Sequence, residues 1–91
     1  MVQTFEIEQV IDERAVITLD TGEQYSVSTY QSTNIEGYAP IYIRDERTRD
    51  TFVSYGYIEI NGHTFISKWK DRHFDYYDVE ATRRPFILTV Y

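Results

Sequence analysis

The chain has 91 residues, 26% of them charged and 42% hydrophobic, with a formal net charge of −6 and no cysteine. That is enough chain for one modest hydrophobic core and too little for two. The composition excludes wholesale disorder, a disulfide framework and a thiolate metal site.

No apolar run approaches the ~20 residues that a membrane-spanning helix needs. The opening MVQTFEIEQV has neither the basic nor the apolar region of a signal peptide. A cytoplasmic location is therefore expected.

The hydrophobic pattern has a period of two, the mark of pleated strands with one face turned inward. Phe5 and Ile7 flank Glu6, and Ala15, Ile17 and Leu19 alternate with Val16 and Thr18. The stretch Asp20 to Gln24 follows, with Gly22 placed to take the positive φ of a tight turn. Tyr25 and Val27 open the next alternating run. Residues 31–40, with Gly37, Pro40 and a polar cluster, predict a loop.

A short strand at 41–43 leads into RDERTRD, residues 44–50, where six of seven side chains are charged. This is expected to be a solvated hairpin loop or protruding ribbon before a strand over 52–60. Asn61-Gly62 is the strongest hairpin signal in the chain. After it Phe65, Ser67 and Trp69 alternate, as do Phe86, Leu88 and Val90 near the end. The pieces ITLDTGEQYSV and YIEINGHTFIS share an order of strand, glycine turn, polar pair, aromatic and strand. They predict two hairpins built on the same chemistry.

Between the last two runs lies HFDYYDVEATRRP, residues 73–85. Asp75 and Asp78 have the spacing of an N-cap and an acidic third residue. Arg83 and Arg84 suit the negative end of a helix dipole, and Pro85 stops the helix. The expectation is one short helix near 76–84.

Residues 5–43 carry Phe5, Ile7, the hairpin ITLDTGEQYSV and the glycine-led GYAPIYI. This order resembles that of small SH3-like and OB-like β-barrel domains. Ile17 to Val27 match the hairpin of those families, and Gly37 stands where their strand-leading glycine would. Tyr38 and Pro40 depart from the acidic or lysine residue usual there. The resemblance implies a barrel-like fold and no particular activity.

The fold expected is thus mainly β: a small antiparallel barrel or strongly bent sheet of six to seven strands, as a single β-rich domain over residues 1–91. Its core is expected to hold Phe5, Ile7, Ile17, Leu19, Tyr25, Val27, Ile41, Ile43, Ile58, Ile60, Phe65, Trp69, Leu88 and Val90.

The charge is unevenly placed. Residues 1–40 hold seven acids and one base, while residues 41–91 balance at eight of each. Such a bias steers basic partners and disfavours general nucleic-acid binding. The chain also has nine tyrosines, a residue that gives broad contact area with little entropy loss.

The functional expectation is a non-catalytic, acidic protein-binding module. Phages and mobile elements carry inhibitors of this kind, which occupy a basic nucleic-acid-binding surface of a host protein. Glu6, Glu8, Asp12, Glu13, Asp20 and Glu23 would supply charge, and Tyr30, Tyr38 and Tyr42 aromatic anchors. A homodimer is compatible with the mixed charge of the second half. No catalytic residue and no cofactor is assigned.

Two other readings compete. SKWKDRHF interleaves Trp69 and Phe74 with Lys68, Lys70 and Arg72, the composition of a single-stranded nucleic-acid platform. The alternation instead turns Trp69 inward and the lysines outward. A metal-dependent hydrolase would draw on His63, Asp71, His73, Asp75 and Asp78, whose spacing fits no ligand pattern; no metal site is assigned.

Overall fold

The computed structural model describes residues 2–8, 13–30, 37–71 and 84–91. Eight strands run through them: β1 (Gln3–Ile7), β2 (Ala15–Thr18), β3 (Gln24–Thr29), β4 (Ile41–Asp45), β5 (Thr51–Ser54), β6 (Tyr57–Ile60), β7 (His63–Trp69) and β8 (Phe86–Val90). They form two antiparallel sheets of four strands, ordered β1-β8-β7-β6 and β2-β3-β4-β5.

The expected barrel is not closed. β1 and β6 are edges of one sheet, β2 and β5 of the other, and the two sheets share a core between their inner faces. The three-strand order β2-β3-β4 that carried the resemblance to small barrels is present. Closure fails because the chain changes sheet instead of continuing the ladder. Among the described residues there is no helix, and the one expected near 76–84 is not borne out. All of that stretch but Arg84 lies outside the described residues, and Arg84 sits in a bend.

The period-two reading holds along the strands. Ile41 and Ile43 of β4, Phe65, Ser67 and Trp69 of β7, and Phe86, Leu88 and Val90 of β8 all face inward and are buried. Of the expected core, Phe5 and Ile58 alone stop short of full burial, packing against its rim. Ala39 and Phe86 join it.

The turns follow their glycines. Asn61 (φ 53°) and Gly62 (φ 80°) both take the left-handed region, as a two-residue type I′ hairpin demands, with Ile60 opposite His63. The β2–β3 turn closes through Leu19 N–H to the Glu23 carbonyl (2.8 Å) and Gly22 N–H to the Leu19 carbonyl (2.9 Å).

The charged stretch 44–50 is a hairpin between β4 and β5, and it satisfies itself. Asp45 Oδ1 accepts the Arg47 N–H at 2.9 Å, and Glu46 binds both Arg44 (3.1 Å) and Arg49 (2.9 Å). Ion pairs thus engage Arg44, Glu46 and Arg49, while main-chain donors hold Asp45.

Two corrections concern the crossings between sheets. The single strand expected over 52–60 is two strands, β5 and β6, in different sheets. The break falls at Tyr55-Gly56, where Gly56 has φ 125°. Isolated glycine inside a strand pattern marks such a bend.

The loop expected over 31–40 is in its described part, 37–40, a paired segment. Ala39 N–H donates to the Ser67 carbonyl (3.0 Å), Trp69 N–H to the Gly37 carbonyl (3.0 Å), and Ser67 Oγ to the Ala39 carbonyl (2.6 Å). Residues 37–39 therefore run beside the second half of β7, where β6 has ended, before the chain enters β4. Tyr38 lies against Gly56, so the two crossings pack on each other.

The two look-alike hairpins, β2–β3 and β6–β7, end up in opposite sheets with matching positions in contact. Tyr25 meets Phe65 edge-to-face at 5.0 Å, and Glu23 meets His63 at 2.9 Å.

Candidate functional site

The acids singled out in the sequence do not all play one part. Glu6 lies on the outward side of edge strand β1, and Glu8 follows that strand, with 50% and 72% of their side chains exposed. Both share one counter-ion. Lys70, just past β7, reaches the Glu6 carboxylate in a close ion pair and lies 3.8 Å from Glu8. Glu6, then Glu8, holds the Lys70 amine above its ordinary value. Solvent screens this pair, so it contributes little to stability. The trio keeps one net negative charge.

Glu13 is exposed ahead of β2, beside exposed Arg14. Asp20 sits at the β2–β3 turn, clamped by Gln3: Gln3 Nε2 donates to Asp20 Oδ1 (3.1 Å) while Asp20 N–H donates to Gln3 Oε1 (3.0 Å). This clamp ties β1 to the end of β2, so the two edge strands lie on the same flank of the sandwich. Asp12 lies outside the described residues.

Glu23 is a structural node. Its Oε1 accepts Thr21 Oγ1 (2.7 Å) and His63 Nε2 (2.9 Å), and its Oε2 accepts the Tyr25 hydroxyl (2.8 Å). The Thr21 hydroxyl, then His63 and Tyr25, hold its carboxyl down at about 2. A carboxylate with three donors already in place has little left to offer a partner.

The network continues inward. The Tyr25 hydroxyl accepts one hydrogen from Asn61 Nδ2 (3.0 Å), whose other goes to Asp45 Oδ2 (2.9 Å). Burial, with the neighbouring Glu23 carboxylate, pushes the Tyr25 phenol up to about 12. Main-chain donation from Arg47, then Asn61, lowers the Asp45 carboxyl. A cleft of about 670 Å³ opens here between the β2–β3 and β4–β5 turns, with Glu23, Gln24, Asp45, Glu46, Arg47 and Asn61 among its lining. Sequence reading missed this cleft, because its walls come from hairpins far apart in the chain. The only local hint was a polar Asn at a turn.

The three tyrosines singled out in the sequence lie elsewhere, Tyr30 and Tyr42 at the inner strands β3 and β4. Tyr30 stacks on Tyr42 at 4.4 Å and meets Tyr55 edge-on at 6.5 Å. Tyr55 belongs to the crossing between β5 and β6, an edge strand of each sheet, and is 58% exposed. Tyr38 packs on Gly56 with Lys68 5.3 Å above its ring. Tyr30 and Tyr42 are thus brought together and extended by Tyr55, which the sequence reading did not select. They stand apart from Glu6, Glu8 and Asp20.

The residues of the nucleic-acid reading are dispersed. Trp69 is a core residue, 4% exposed; its ring offers no open face on which a base could stack. Lys68 is held over Tyr38 and Lys70 by Glu6 and Glu8, while Arg72 and Phe74 lie outside the described residues.

Of the residues weighed for a metal-dependent hydrolase, His73, Asp75 and Asp78 also lie outside them. Among the described residues no group of three metal-ligating side chains occurs. No helix among them is long and apolar enough to cross a membrane. Comparison with protein-family profiles, curated proteins and solved structures gives no match.

Proposed function

We propose that this chain is a non-catalytic, acidic protein-binding module whose β1/β2 flank docks on a basic surface, of the kind that binds nucleic acid. The observation that carries the reading is the placement of Glu6, Glu8, Glu13 and Asp20. All four sit on or beside the two edge strands of one flank, with Lys70 and Arg14 the bases beside them. The overall charge of −6 sharpens the bias.

Carboxylates fixed on a stiff sheet stand in electrostatically for phosphates, and long-range attraction speeds encounter with a basic partner. Tyr30 and Tyr42 stack on each other at the inner strands β3 and β4, away from these carboxylates, so the module engages this partner by charge first.

The test uses immobilised chain to capture proteins from native lysate at low and high salt. Wild type should retain a basic protein in a salt-sensitive way. The double variant Glu6→Lys with Glu8→Lys should lose it, and Tyr55→Ser should keep it. Capture indifferent to salt and to charge reversal refutes the reading. An oligonucleotide gel shift on the same samples addresses the rival: salt-sensitive binding of single-stranded DNA would favour that reading instead.

A further inference from the structure

His63 stands at the start of β7, where its ring bonds to the β2–β3 turn of the other sheet. Its Nε2 lies 2.9 Å from Glu23 Oε1, and its Nδ1 lies 3.1 Å from the main-chain oxygen of Tyr91. Both partners are acceptors only: one is a main-chain oxygen, the other a carboxylate that stays ionised. A neutral imidazole carries a single N–H and would aim a lone pair at one of the two oxygens. The imidazolium, with two N–H groups, satisfies both.

We propose that His63 is a protonation latch, which in its charged form fastens the β2–β3 turn of one sheet to the end of the other and releases that turn when it loses its proton. The elements joined are distinct. Glu23 belongs to the β2–β3 turn, His63 to β7, and Tyr91 follows β8, where its N–H donates to the Thr64 carbonyl at 2.9 Å. The latch is partly open to water, with 23% of the His63 and 36% of the Glu23 side chain exposed, so protons exchange with solvent directly.

The charged and titratable groups around it are mostly acidic. Glu23 faces it from the turn, and Asp20 lines the same hollow with Gln3, Thr21, Val90 and Tyr91. Tyr25 and, through Asn61, Asp45 complete the polar side behind Glu23, while Arg47 is the one base lining the neighbouring cleft. From β6 the opposing residue is apolar Ile60, and within β7 Phe65 meets the ring edge-on at 6.3 Å.

The sign is fixed by these contacts. Glu23, then the Tyr91 oxygen, raises the His63 pKa above its ordinary 6.5 against the opposing effect of burial. The latch therefore contributes fully below 6.5 and is lost as pH rises through the folded value.

The test is a nitrogen-detected NMR titration of the intact chain, the His63 signal being the one missing from His63→Gln. The expected result is a midpoint above 6.5 with both ring nitrogens protonated below it. The amides of Thr21, Glu23 and Tyr91 should shift with that same midpoint. In Glu23→Gln the midpoint should fall, since the Glu23 carboxylate is the main group that raises it. The melting temperature of the wild type should decline across this window relative to His63→Gln, which lacks the step. A midpoint at or below 6.5, a neutral single tautomer throughout, or turn amides that ignore the titration would each overturn the proposal.

Discussion

Gly56→Ala is the substitution that most directly probes how the chain passes between the sheets. An added Cβ would sit 2.6–2.9 Å from Cδ1, Cβ and Cγ of Tyr38, inside any real contact distance. The backbone there has φ 125°, a conformation an L side chain rarely adopts. That strain alone costs roughly 1–3 kcal/mol. Displacing the half-buried Tyr38 ring adds a packing loss of about 1–3 kcal/mol.

The expected total, ~3 kcal/mol, is a large share of the ~5–15 kcal/mol that stabilises an ordinary domain. In a domain of this size it lowers the melting temperature by roughly 12–24 °C. Urea denaturation should show a fall in midpoint with an unchanged slope. Combining it with Tyr38→Gly, which removes the Cβ as well as the ring, should relieve the clash and leave the backbone strain, giving a coupling of about 1 kcal/mol or more. A Gly56→Ala protein as stable as wild type, or one that Tyr38→Gly does not relieve, would refute the packed double crossing.

Asn61→Gly removes both hydrogen bonds from Asn61 Nδ2 while keeping the positive φ free of strain, so the melting temperature should fall by about 5–10 °C. Asn61→Ala should fall further, since alanine must also adopt φ 53°; equal melting curves would argue against the turn geometry. Lys70→Met should leave the melting temperature almost unmoved, because the Glu6–Lys70–Glu8 cluster is exposed. The same variant should associate faster with a basic protein at low salt, and slower association would contradict the proposed flank.

What the sequence reveals here is local. Alternation alone identifies the inward residues of β4, β7 and β8, and Gly22 and Asn61-Gly62 mark the β2–β3 and β6–β7 turns, because these features depend on neighbours in the chain. Which strands pair is a matter of distant contacts: nothing within Gln3–Ile7 announces that it lies beside Phe86–Val90. Local pattern therefore predicts a barrel or a strongly bent sheet where the chain forms two sheets.

Gly56 lies inside the run 52–60, where an isolated glycine is the only local sign that the strand breaks. Glu23 looked like one more surface acid, yet it is held by His63, forty positions on. Tyrosines and carboxylates are both abundant in the sequence, and only the strand order puts Tyr42 on an inner strand and Glu6 on an edge.

The most direct measurement of the proposed function is the association rate of the captured basic partner with wild type and with Glu6→Lys/Glu8→Lys, at low salt and above the ~0.1 M at which screening acts within about 10 Å. The proposal predicts a marked slowing by charge reversal at low salt that shrinks at high salt. Equal rates for the two proteins at both salt concentrations would contradict it.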